Sequence, residues 1–326
     1  MAFTAWLSLV VCSAASRVFD ETEPVDLLQR TLQLDGGSEG AAAQAERLRK
    51  VLPMAWIHVP KCGTSFANTL VGMPHFCPDA PENYDVESSA PDGCLFRVFA
   101  PNVCKSFCDQ NYLHCWNGKD GNNYHAFVGN ESQYLKVKGH MVGLFRQPEQ
   151  RLLSAYYDGH DWINGGNGTR CDKSHTGELS VPDFAPLFAG SMTYQLTYPQ
   201  PVHWGAKYGP TITRSLALEA AKRVKEGFAY VGLTEEWDLS ICLFHAMFGG
   251  ACHSSEFRNV RPGEHEKESD GEYDTSVLEG FQDEMDGLVY AEAVRIFHKN
   301  LALYNVSAQS CRAGCWQEAI KGLHDA

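Results

Sequence analysis

Three short apolar runs set the strongest limit on how this chain can fold. MAWIHV, MVGLF and FAYVGL begin at Met54, Met141 and Phe228, and none contains Asp, Glu, Lys or Arg. Five or six residues is strand length rather than helix length, and an unbroken apolar strand must be covered on both faces. Each run is followed by a helical pattern, respectively SFANTLVG, PEQRLLSAYYDGH and EEWDLSICLFHAMFG. Strand then helix, repeated, predicts an α/β fold with a central parallel sheet and helices on both faces. Ligands of such sheets bind beyond the carboxyl ends of the strands, which puts Lys61 to Ser65, Arg146 and Thr234 to Glu236 along one edge. A late pattern, DGLVYAEAVRIFHKNLALY, reads as a long amphipathic helix whose business is packing.

Two segments, from about His75 to Asn123 and from about Asp158 to Pro182, are rich in Cys, Gly, Asn and Asp and break the alternation. They are expected to be disulfide-rich surface insertions, which often carry specificity when they lie over a ligand edge. Residues 17–50 are polar and alanine-rich, are interrupted by LDGGSEG, and read as a stem or linker of loosely packed helices. The main domain is expected over 51–310 and a C-terminal tail over 311–326. Residues 1–16, MAFTAWLSLVVCSAAS, have an apolar middle and small residues at Ala14 to Ser16, the pattern of a signal peptide. The apolar stretch is too short to span a bilayer comfortably, so a short anchor is the second reading.

Cysteine usage points to the same compartment. Twelve cysteines in 326 residues is a secretory number, because oxidising compartments let them pair. Three glycosylation acceptor triplets, at Asn130, Asn167 and Asn305, agree with it. The expected location is therefore the secretory pathway, either the Golgi lumen or outside the cell. Without Cys12 of the leader, eleven cysteines remain. Cys62 is expected to stay unpaired and the other ten to pair in some order, with Cys242–Cys252 and Cys311–Cys315 as local choices. A zinc site from Cys104, Cys108, Cys115 and His114 has irregular spacing, and disulfides are preferred over it.

A formal charge of -13 argues against a general nucleic-acid binder, whose affinity comes from concentrated Lys and Arg. Any anionic ligand must be held by local donors, and the chain offers one obvious place. In WIHVPKCGTSFANTL, Trp56 to Leu70, a strand ends, turns through Lys61 to Gly63, and enters a helix near Thr64. Such a turn collects backbone N–H groups and a positive helix dipole at one point. Gly63 is expected to allow close approach of the ligand, Thr64 and Ser65 to add hydroxyl donors, and Lys61 to add a mobile charge. A kinase-type P-loop carries its lysine after the glycines, whereas here it comes first.

Pro60-Lys61-Cys62-Gly63-Thr64-Ser65 resembles the 5'-phosphosulfate loop of sulfotransferases that use 3'-phosphoadenosine 5'-phosphosulfate (PAPS). It lacks the additional glycine of many Golgi members. GLFRQPEQRLLSAYY resembles the family's 3'-phosphate signature, filled here by Arg146, Pro148, Arg151, Ser154 and Tyr156. A strand-end guanidinium grips a phosphate bidentately, and a serine in the following helix donates from another side. FAYVGLTEEWDLS is similar to a turn of membrane-associated Golgi members, and the helix around Leu288-Val289-Tyr290 to their C-terminal one. The likeness spans roughly Leu52 to Tyr304 and is strongest to carbohydrate sulfotransferases.

That resemblance implies an enzyme that moves the sulfuryl group of PAPS to a hydroxyl of a glycan or glycoconjugate, with no metal. Lys61 would stabilise the leaving bridging oxygen, Cys62, Gly63, Thr64, Ser65 and Phe66 would line the 5'-phosphate, and Arg146 and Ser154 would hold the 3'-phosphate. Arg261, with Arg258, would arrive late on the cofactor from EFRNVRPGEHEKE. A base should take the acceptor's proton. The candidates are His75, Glu82, Glu87, His114, His125 and His140, with His125 favoured. His140 lies at the wrong end of its strand unless the chain bends. Glu235 and Glu236 are expected to serve the start of a helix. Two other functions fit the same residues: a secreted glycan-binding protein on an inactive sulfotransferase scaffold, and a protein-tyrosine sulfotransferase. No concentrated basic stretch suits the second of these.

Overall fold

The computed structural model describes residues 38–73, 127–157, 179–198, 211–258 and 272–319. Both cysteine-rich insertions lie almost wholly outside these residues, as do the leader at 1–16, His125 and Arg261. The three apolar runs form a mixed α/β core with a parallel sheet of order β1-β2-β3, where β1 is Ala55–Trp56, β2 is Met141–Phe145 and β3 is Phe228–Leu233. The helices are α1 (Ser38–Val51), α2 (Phe66–Gly72), α3 (Glu131–Val137), α4 (Pro148–Tyr157), α5 (Val181–Phe188), α6 (Ser191–Thr197), α7 (Arg214–Gly227), α8 (Trp237–Phe248), α9 (Glu284–Leu303) and α10 (Ala308–Cys311).

Every residue of β2 is buried, as the central strand of a parallel sheet should be. β1 is shorter than its apolar run. Ile57 still donates its N–H to the Val142 carbonyl at 2.9 Å, but beyond it the chain lifts away toward Pro60, which has no N–H to give. Phe66 enters the core from α2, stacking on Tyr230 at 5.6 Å and meeting Phe244 edge-on at 5.3 Å. The expected order holds: β1 leads to α2, β2 to α4 and β3 to α8.

The expected stem ends earlier than position 50. α1 packs on α8, where the Gln44 amide donates to the carbonyls of His245 and Ala246 and Arg47 Nε donates to that of Met247 at 2.8 Å. The His245 carbonyl also accepts the Gly249 N–H at 2.8 Å, and the other two lie in the last turn, where a helix runs short of its own donors, so α1 closes the end of α8. α1, from Ser38, accordingly belongs to the same compact unit as the sheet.

The tail boundary at 311 also moves, because the cysteine partners differ from the local choice. Cys242 pairs with Cys311 and Cys252 with Cys315, with Cα separations of 5.6 and 5.2 Å. Cys311 and Cys315 follow one another by about one helical turn, so their side chains share a face and both reach across to α8 and the loop after it. The two bridges close spans of 69 and 63 residues. In the chain-entropy account, loops of that size are worth about 4 kcal/mol. Removing Cys252–Cys315 as a paired Cys→Ala variant should cost about 2–4 kcal/mol in urea unfolding. A loss below the error of the measurement would mean that the C-terminal helix is already held by packing. Cys62 stays reduced and buried, as expected. Among the described residues, no helix is long and apolar enough to cross a membrane.

Candidate functional site

The end of β1 and the start of α2 are joined by a tight, fixed turn. Lys61 sits at φ 66° and Gly63 at φ 77°, both left-handed, and the Cys62 N–H closes the turn onto the Val59 carbonyl at 3.1 Å. A left-handed lysine costs about 1–2 kcal/mol relative to its ordinary backbone. Such a residue persists where its surroundings impose the conformation, and it marks a place worth testing for function.

The loop holds its donors unevenly. The N–H groups of Cys62 and Phe66 are spent inside the turn, on the carbonyls of Val59 and Gly63, while those of Gly63 and Ser65 are candidate donors to a ligand. Cys62 and Phe66 therefore do not offer their N–H groups to a ligand. Ser65 occupies the N-cap of α2, yet its hydroxyl makes no capping bond to the helix. Thr64 Oγ1 lies 3.3 Å from His58 Nε2.

Gly63 also meets a packing constraint inside the fold. A Cβ built there would fall 2.6 Å from the Trp237 ring and 2.9 Å from Leu144 Cδ1. The missing side chain makes room for the protein's own tryptophan. Trp237 is fixed in turn by its indole N–H, which donates to the Glu256 carbonyl at 2.7 Å. Burial pushes the Cys62 thiol up to about 12, with the Arg151 charge opposing it, so Cys62 is an inert thiol under the loop.

Parallel pairing carries Arg146 to the same sheet edge. It follows directly on β2, is 7% exposed, and lays its guanidinium 5.5 Å from the Tyr273 ring. Tyr273 is held there by Gln150, whose amide donates to its carbonyl at 2.9 Å and accepts from its N–H at 2.7 Å. Pro148 opens α4, a position where its missing N–H costs nothing, and Ser154 lies buried further along the same helix.

The turn after β3 completes the edge. Thr234 donates its N–H to the Phe145 carbonyl at 2.9 Å, and Glu235 accepts the Gln147 N–H at 2.6 Å and the Tyr290 hydroxyl at 3.3 Å. Glu235 thus pins α4 and α9 beside Arg146 instead of serving α8. The residue is exposed overall, yet its carboxyl is crowded: burial raises it above the usual carboxylate range, while these bonds and Arg146 pull it back down.

Two sequence candidates fall elsewhere. His140 precedes β2 and bonds the Val51 carbonyl through Nδ1 at 2.8 Å. The strand does not bend it back, so about six residues at roughly 3.3 Å each separate it from Arg146. His140 is a structural histidine at the far edge. Arg151 shares the signature with Arg146 but is 0% exposed and paired with Asp286 at 2.8 Å. It supports α4 from beneath and does not reach the edge. Arg258 is exposed after a short 3-10 helix, Ser254–Phe257. His125, Arg261 and the remaining base candidates His75, Glu82, Glu87 and His114 lie outside the described residues.

His58, Trp237 and Tyr273 were not singled out from the sequence. His58 alone had a signal, two residues ahead of Pro60-Lys61. His245, Cys252 and Cys315 also place ligand-type atoms together, but the two sulfurs are joined to each other in a disulfide and His245 Nε2 is bonded to Glu256 at 2.7 Å. No protein-family model, no curated protein and no solved structure matches this chain.

Proposed function

We propose that the protein is a PAPS-dependent sulfotransferase of the secretory pathway, acting on a hydroxyl of a carbohydrate acceptor. One observation carries the reading. Two sequence elements that resemble phosphate-binding motifs, centred on Lys61 and Arg146, leave neighbouring parallel strands at the same edge, with Thr64 and Ser65 hydroxyls in one and a buried arginine in the other. In this reading the Lys61 loop takes the 5'-phosphate and the Arg146 to Ser154 segment takes the 3'-phosphate of one extended cofactor.

Sulfuryl transfer needs alignment and charge stabilisation more than covalent help from the protein. The acceptor oxygen forms a bond to sulfur while the bridging bond to the 5'-phosphate breaks, and adenosine 3',5'-bisphosphate leaves with the electron pair. Lys61 would meet the charge that grows on that bridging oxygen, and the Gly63 and Ser65 N–H groups would hold the phosphate beneath it. The acceptor's proton passes to a base, for which His125 remains the first candidate. Golgi residence follows from the resemblance, and the disulfides fit an oxidising lumen.

Incubation with radiolabelled PAPS and a panel of neutral glycans, anionic glycans and tyrosine peptides tests the reading. Label should transfer to at least one glycan, and transfer to tyrosine peptides alone would replace the acceptor class. Arg146→Ala should raise the KM for PAPS roughly tenfold to a hundredfold, the range of a hydrogen-bonded charge, with little change in that for the acceptor. Equal effects on both substrates would remove Arg146 from the 3'-phosphate.

A further inference from the structure

We propose that His58 is a positioning residue of the anion loop: its Nε2–H donates to Thr64 Oγ1 and so turns the Thr64 hydroxyl proton toward the bound anion. The inference rests on reading the Lys61 loop as the seat of the 5'-phosphate. His58 is 2% exposed, and its Nε2 lies 3.3 Å from Thr64 Oγ1. Its place is set by two further contacts. The ring stacks on Trp56 at a centroid distance of 4.9 Å, and the backbone carbonyl accepts the Gln195 amide at 2.9 Å.

The contact between an imidazole nitrogen and a hydroxyl has two senses, and an anion distinguishes them. If Thr64 donated to the ring, the lone pairs of its oxygen would be left facing the phosphate, which repels them. If the ring donates, the single hydroxyl proton is left for the phosphate oxygen. An anion in the loop therefore selects the ring with hydrogen on Nε2. The result is a chain of donors in one direction, His58 Nε2–H to Thr64 Oγ1–H to anion oxygen, with no proton changing owner. Bonds that end on a charge are the stronger kind, and each one in such a chain polarises the next.

A double-mutant cycle read by calorimetry with adenosine 3',5'-bisphosphate tests this. His58→Leu and Thr64→Val should each weaken binding about tenfold, the size of one such hydrogen bond. The double variant should be no weaker than either single one, because both remove the same link. His58→Gln, whose amide nitrogen reaches a similar position, should recover most of the affinity, but nothing when Thr64 is valine. If His58→Leu does not fold, the wild-type ring answers directly. Its 15N resonances, assigned by their loss in His58→Gln, should show Nε2 protonated in the complex. A bare Nε2 in the complex, or losses that add in the cycle, would overturn the role of His58 and leave the sulfotransferase reading in place. Wild-type protein that binds no adenosine 3',5'-bisphosphate would overturn both.

Discussion

Lys61→Ala should lower turnover by about a hundredfold to a thousandfold, the usual effect of removing one group that stabilises charge in a transition state. Binding of intact PAPS should change far less than turnover, because the lysine acts most strongly on charge that grows as the bridging bond breaks and that only the departing adenosine 3',5'-bisphosphate carries in full. Backbone geometry adds a second readout. At φ 66°, alanine keeps the strain that lysine carries, whereas glycine relieves it. Lys61→Gly should therefore be more stable than Lys61→Ala by up to about 1 kcal/mol while being equally inactive. Near-normal turnover in either variant would remove Lys61 from the leaving group. Equal stability of the two would mean that the loop relaxes out of the left-handed conformation when the lysine is gone.

Asp286→Ala should be the most destabilising single substitution in the described core, at about 3–5 kcal/mol in urea unfolding. Its carboxylate accepts Arg151 Nη2 at 2.8 Å and the N–H groups of Met192 and Thr193 at 2.9 and 2.8 Å. Removing it strands a buried guanidinium whose Nε and Nη1 already have no hydrogen-bond partner, and two helix-start N–H groups with it. Arg151→Met should cost clearly less, because Asp286 keeps both backbone donors and a methionine fills the space beside Phe188, whose ring lies 4.7 Å from the guanidinium. The reverse order would mean that the arginine holds α4 in place and the aspartate merely neutralises it. Asp283 belongs to the same group. Burial and the neighbouring Asp286 charge raise its pKa, and it still accepts the Gly190 N–H at 2.9 Å.

How much of this was legible beforehand depended on whether the signal was local. Apolar runs and helical patterns state their own period, so the parallel sheet and its following helices were readable from Met54, Met141 and Phe228 onward. The anion loop and Arg146 were readable because a strand end followed by Lys, Gly, Thr and Ser is a chemical pattern within a few residues. Cysteine pairing was not, since spacing favours near neighbours while Cys311 and Cys315 are one turn apart and must each reach another element. α1 reads as a stem because its sequence is polar, alanine-rich and entered through LDGGSEG; what holds it are the end carbonyls of α8, 200 residues away in sequence. The packing constraint on Gly63 was invisible for a similar reason, because Trp237 reaches it only after β3 has paired with β2. Tyr273 follows an acidic, polar stretch with nothing to mark it as a partner of Arg146. His58 carries a local signal, two residues ahead of Pro60-Lys61, but its bond to Thr64 depends on how the turn folds back.

The most direct measurement is calorimetric binding of adenosine 3',5'-bisphosphate to the disulfide-intact protein, with ADP as the control. Binding that needs the 3'-phosphate, and that Arg146→Ala weakens, is what the account predicts. A folded sample that binds neither nucleotide, or binds both equally, would contradict it, and a glycan-binding protein on the same scaffold would become the better reading.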